Sequence, residues 1–148
     1  MRKRTQAREI ALQILYQLDL LKGDVPEGER ERFMVEHAEG PDVREYARTL
    51  IAGTVAHRPG IDRIIEEVAK NWELSRMAII DRNILRMAIY ELLHRDDIPP
   101  KVAINEAVDL AKKYSTKNSS AFVNGILDKV KDRRPPSAAD ASAGEGSA

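Results

Sequence analysis

The chain reads as an all-α protein of about seven helices. Three observations predict this. Apolar residues recur three and four apart through successive segments, the spacing that lines one face of a helix. No segment alternates apolar and polar residues in the manner of a half-buried strand, and no internal repeat has a convincing period. Glycine and proline breaks separate the periodic segments.

A basic arm, Arg2-Lys3-Arg4, leads into a first helix expected over about 5–22 and stopped at the Gly23 to Pro26 break. Residues 27–38 are acidic and weakly periodic, fitting a short helix. Pro41-Asp42 opens the next, with Asp42 as expected N-cap and Glu45 three residues on. Its stripe of Val43, Tyr46, Ala47, Leu50, Ile51 and Val55 is expected to end at Arg58-Pro59-Gly60. Ile61, Ile64, Ile65, Val68, Ala69 and Trp72 form a separate stripe. Ser75 is the expected cap of a helix reaching His94, which Ile98-Pro99-Pro100 terminates. Two further helices fit 101–114 and 119–132. From Arg133 the composition shifts to Pro, Ser, Ala and Gly, so residues 1–132 are read as one helical domain and 133–148 as a disordered tail.

With 43% hydrophobic residues the chain can fill a core, and with 32% charged residues it can solvate a surface. The absence of cysteine excludes disulfides and thiolate metal sites. No apolar run approaches a membrane span, and polar residues interrupt the first helix where a signal segment would need an apolar core, so a cytoplasmic protein is expected. The formal charge is zero, so attraction to nucleic acid would need local clustering.

No catalytic constellation is legible, and the chain is read as a non-enzyme without cofactor or metal. His37, His57 and His94 lie in separate segments without metal-ligand spacing, and each suits a helix end or a surface. Neither a nucleophile elbow nor a phosphate-binding glycine loop occurs. Ser119-Ser120 reads as a helix start, and Asp96-Asp97 as loop carboxylates facing water. Glu91 falls in phase with Ile80, Ile84 and Met87; a carboxylate so placed needs a partner, expected to be an arginine or free backbone N–H groups.

Three features suggest binding instead. Arg2, Lys3, Arg4 and Arg8 gather positive charge at a helix N-terminus, which already favours anions; a polyanion satisfies both. A frayed basic end is the alternative. On the first helix Ala7, Ile10, Ile14, Leu18 and Leu21 form one stripe, while Leu12, Tyr16 and Leu20 form a second. That helix is therefore either buried between two bundles or meets a partner with its second face. On the last helix Asn118, Phe122, Gly125 and Lys129 flank a core stripe of Val123, Ile126, Leu127 and Val130. Phe122 either stacks an unpaired base or packs inward. Gly125, unfavourable within a helix, is expected to admit a close backbone approach, either to another helix or to a ligand.

Together these residues resemble the NusB family of bacterial transcription antitermination factors. The resemblance rests on several blocks in order: Arg4-x-x-x-Arg8-Glu9 with Leu15-Tyr16; Asp81-Arg82-Asn83-Ile84-Leu85-Arg86 through Tyr90-Glu91-Leu92; Lys101-Val102-Ala103-Ile104-Asn105-Glu106-Ala107; and Phe122-Val123-Asn124-Gly125-Ile126-Leu127-Asp128. It implies two packed three-helix bundles. It also implies binding of the single-stranded boxA element of nascent ribosomal RNA, together with the ribosomal protein NusE, within an RNA polymerase antitermination complex. Some family members form homodimers that cover the RNA site. Carried onto this sequence, the RNA residues are Arg2, Lys3, Arg4, Arg8, Lys117, Asn118, Ser119 and Phe122, with Lys129 added from its place on the last helix. The partner residues are Leu12, Tyr16 and Asp81. The sequence departs from the pattern at Lys3 and Gln6, where relatives carry more arginine, and at Thr116-Lys117-Asn118, where many are acidic.

Overall fold

Six α-helices form among residues 2–23 and 25–135, the part of the chain that the computed structural model describes. They are α1 (Lys3–Leu20), α2 (Glu27–His37), α3 (Pro41–Val68), α4 (Ile79–His94), α5 (Pro100–Tyr114) and α6 (Lys117–Val130), with short 3₁₀ turns at Leu74–Arg76 and Lys131–Arg133. Asp24 and residues 136–148, the bulk of the expected tail, lie outside the described residues. No described helix is long and apolar enough to cross a membrane.

Helices α1 to α3 form one group and α4 to α6 another, and one core runs through both because α4 packs against α1 and α3 as well as α5 and α6. The central position of α4 has a chemical signature: every residue from Asn83 to Leu92 is buried, whichever way it points. Polar groups on such a helix must be paired. The pairings run antiparallel along α1. Arg8, near the start of α1, meets Glu91 near the end of α4; Asp19, near the end of α1, meets Arg82 and Asn83 near the start of α4.

The expected break at Arg58-Pro59-Gly60 does not occur, which is why six helices form instead of seven. Pro59 removes one N–H and leaves the Val55 carbonyl without its helical donor. Residues 55–60 are all exposed, so water can satisfy that carbonyl, while Thr54, Ile61, Ile65 and Val68 keep the buried stripe in phase across the proline. The helix ends at Val68, so Trp72 leaves the expected stripe and stands 56% exposed.

Helix starts also differ from expectation. Pro41 takes the first position of α3, so Asp42 sits inside the first turn and binds Lys3 Nζ at 3.1 Å instead of capping. Ser75 lies in a 3₁₀ turn, and α4 begins at Ile79. Thr116, not Ser119, caps α6, its hydroxyl accepting from the Ser119 N–H at 3.0 Å. The α1 terminus follows expectation: Lys22 and Gly23 take positive φ, and the Gly23 N–H returns to the Leu18 carbonyl.

Within the protein a close approach occurs at Gly53, and no neighbouring helix meets Gly125. The Tyr90 ring occupies the space that a β-carbon at 53 would need, whereas nothing lies within 4 Å of one at 125. Past the last helix, Arg134 donates to the carbonyls of Ile98 at 2.7 Å, Asp96 at 3.1 Å and Arg95 at 3.3 Å, fastening the α4–α5 connection.

Candidate nucleic-acid interface

The start of α1 carries three basic residues and no acidic one in its first turn. Arg2 and Lys3 are exposed. Arg4 reaches Asp97 at 3.4 Å, and its guanidinium carbon lies 4.5 Å from the Tyr46 ring centre. Arg95, from the end of α4, covers the same ring at 5.0 Å. Cations on α1 and α4 thus share one aromatic support.

Arg8 does not belong to this surface, contrary to the expectation that it contacts RNA. It is only 2% exposed. Its Nε and Nη2 donate to the two oxygens of Glu91, each at 2.9 Å, and Glu106 lies 3.5 Å from Nη1. The Tyr46 hydroxyl donates to Glu91 Oε2 at 2.5 Å. The arginine expected as a partner of Glu91 is therefore Arg8. Burial opposes the guanidinium charge, but the fork onto Glu91 and its negative charge prevail, and the Arg8 pKa rises. Burial, then the adjacent Glu91 charge, pushes the Tyr46 phenol up as well, so it remains a donor.

At the other end of α1, Trp72 and Phe122 meet edge to face with ring centres 5.7 Å apart. They line a cleft of about 190 Å³ with Met77, Asp81, Asn118 and Ser119. Phe122 is half-buried, so it neither seals into the core nor stands free, and Asn118 and Lys117 are exposed beside it. Ser119 Oγ donates to Asp81 Oδ2 at 2.8 Å, while buried Asp81 Oδ1 has no hydrogen-bond partner. Lys129 is exposed on α6, seven residues and about two turns beyond Phe122 on a similar face.

The basic arm and the aromatic cleft do not form one compact patch. Asp81 marks the cleft and Arg95 the arm; fourteen residues of α4 separate them, about 21 Å of helix. Between them lies the end of α5. Lys113 Nζ binds Glu9 at 2.6 Å, and the Tyr114 hydroxyl donates to the same carboxylate oxygen. Tyr114 is two residues from Thr116, the cap of α6. An extended ligand, not a globular one, suits this spacing.

The face expected for a protein partner separates in depth. Leu12 is fully buried, and Asp81 is 7% exposed, with Oδ2 held by Ser119 and Oδ1 buried. Neither offers the open contact expected of it. Tyr16 is half-buried, and Leu20 and Leu21 are exposed large apolar residues. The first half of α1 lies between the bundles, as one reading of its two stripes expects, and its last turn comes to the surface. Sequence reasoning missed Trp72, Arg95 and Lys113. Trp72 fitted an apolar stripe, and no local pattern singles out Arg95 or Lys113.

A family model described as the NusB family matches residues 5–132. The chain is 50% identical over 134 residues to the transcription antitermination protein NusB of Anaeromyxobacter sp. (strain Fw109-5), covering 90% of this chain and 93% of the relative. It is 51% identical over 130 residues to that of Trichlorobacter lovleyi, covering 86% and 89%. Among solved structures, T. maritima NusB superposes with a TM-score of 0.82 at 37% identity, covering 90% of this chain and 93% of that one. A structure of antitermination factors NusB and NusE in complex with dsRNA gives 0.79 at 34% identity, covering 90% and 98%.

Proposed function

The chain belongs to the NusB family, and from that membership we propose that it is a cytoplasmic transcription antitermination factor which holds single-stranded boxA RNA of nascent ribosomal transcripts together with NusE. The observation that carries the RNA part is the half-buried Phe122 ring beside exposed Trp72, Asn118 and Lys117 in an open cleft. An aromatic ring with polar neighbours stacks an unpaired base and holds its edge. Arg2, Lys3 and Arg4 take phosphates at the far end, with Lys113 between. Lys117, Asn118, Ser119 and Lys129 belong to the α6 side of the same path. A relative crystallised with both NusE and RNA supports the pairing.

Anisotropy of a labelled boxA-like single strand tests this. Neutralising about four phosphates gives a log–log salt slope near −3, and Phe122→Ala weakens binding by about 1–3 kcal/mol. A folded Phe122→Ala protein of unchanged affinity excludes base stacking on this ring.

The partner part rests on Tyr16 and Leu20, which reach the surface where α1 leaves the core. Tyr16→Asp places a charge in an apolar contact, so pull-down of NusE falls at least tenfold while the helical signal and RNA affinity persist. Full retention of NusE would move the partner face elsewhere.

A further inference from the structure

The connection after α4 places Asp97 between two arginines from different elements. Arg95 grips its carboxylate with both Nε and Nη2 at 3.0 Å, and Arg4 Nη2 approaches Oδ2 at 3.4 Å. Both guanidinium groups rest on the Tyr46 ring, whose hydroxyl is tied to buried Glu91 from the core side. Arg134 fixes the loop from its other side through three backbone carbonyls. The support is therefore rigid, while the Arg4 and Asp97 side chains are each about half exposed. A fork plus a second guanidinium around a small oxyanion is the geometry that also recognises a phosphate.

We propose that Arg4 and Arg95 form a phosphodiester-binding fork for the RNA strand, and that Asp97 occupies it as an internal stand-in which the RNA phosphate displaces. This rests on the RNA-binding reading above and adds Arg95 as a ligand and Asp97 as an antagonist. The fork is not saturated by structure: Asp97 is shared by two cations and lies at the rim, unlike Glu91, which is sealed beneath. Hydrogen bonding and charge from Arg95, then the charge of Arg4, hold the Asp97 carboxyl below its ordinary range, so it competes as an anion at neutral pH. Arg4, Tyr46 and Arg95 also line a shallow cleft whose acids are Asp42, which is held by Lys3, and Glu45, which lies 3.3 Å from Arg48.

The test measures single-stranded RNA affinity against salt on the full chain, with a melt of each variant. Arg95→Gln weakens binding about tenfold and lowers the magnitude of the salt slope by about 0.7. Arg4→Gln combined with Arg95→Gln loses less than the product of the single losses, because the two share one phosphate. Asp97→Asn tightens binding severalfold. Should Arg95→Gln fail to fold, Arg95→Lys keeps the charge, loses the fork and still weakens binding. Wild-type affinity in a folded Arg95 variant, or weaker binding in Asp97→Asn, overturns the fork while leaving RNA binding intact. A wild-type protein that binds no RNA overturns the function and the fork together.

Discussion

Arg8→Met lowers stability by about 3–5 kcal/mol in denaturant melts, because it strands the Glu91 carboxylate inside the protein. Glu91 is 1% exposed and spends both oxygens on Arg8, one of them also on Tyr46. A loss of that size is a large share of a typical domain's total stability. The cause is the uncompensated charge and not the absence of arginine, and this is separable. Combining Arg8→Met with Glu91→Leu and Tyr46→Phe removes the buried pair and the phenol bound to it, leaves Glu106 with its Thr5 hydrogen bond, and recovers most of the loss. RNA affinity of that triple variant stays within about threefold of wild type, since Arg8 lies beneath the surface and the Phe ring still supports Arg4 and Arg95. A triple variant as unstable as Arg8→Met would mean that the ion pair itself stabilises the fold. A stable one that lost RNA would return Arg8 to the binding surface.

Asp19→Ala is the second large effect, again about 3–5 kcal/mol, and it carries a pH signature. Asp19 gathers Arg82 at 2.6 and 2.9 Å, Asn83 at 2.9 Å and Arg86 at 2.9 Å, with Arg58 at 3.7 Å. Burial works to raise its pKa, but hydrogen bonds from Arg82 and Asn83 and the charges of Arg86 and Arg82 outweigh it, leaving the carboxyl at about 2. The unfolded chain binds this proton near the ordinary value of 3.8. Below that value the unfolded state holds the proton and the folded state does not, so stability falls as pH drops from about 4 to 2. The pH-dependent part is on the order of 2 kcal/mol. Other shifted carboxylates, Glu31 and Asp97, remain in wild type and variant alike. The difference between the two curves therefore isolates Asp19. Wild-type and Asp19→Ala stabilities that run parallel from pH 5 to 2 would remove the carboxylate from this role.

The helical class and the core were legible because both depend on spacing along the chain. The stripes of α3 and α6 are buried where the 3.6-residue period places Leu50 and Ile51, Val123 and Leu127, although Val55 of the same α3 stripe stands exposed. Local rules failed where burial overruled them. Pro59 reads as a stop in isolation, yet the apolar phase on both sides of it carries α3 through. Asp42 and Ser75 are good capping residues, yet Pro41 and the 3₁₀ turn set the starts of α3 and α4. For the candidate site residues, chemical type was legible and depth was not. Lys3, Arg4, Asn118 and Phe122 reach solvent or a cleft, while Arg8 and Leu12, equally plausible by sequence, are sealed.

Periodicity, breakers and composition alone determined that this chain folds as helices around an apolar core, and its ordered motif blocks determined its family. Which arginines are free to bind was decided only by tertiary packing. A guanidinium carries the same charge wherever it stands in the sequence, but its availability depends on whether a carboxylate from a distant helix meets it away from water. Glu91 meets Arg8 inside the core across 83 positions of sequence; Asp97 meets Arg4 and Arg95 at the rim, where an RNA phosphate can compete.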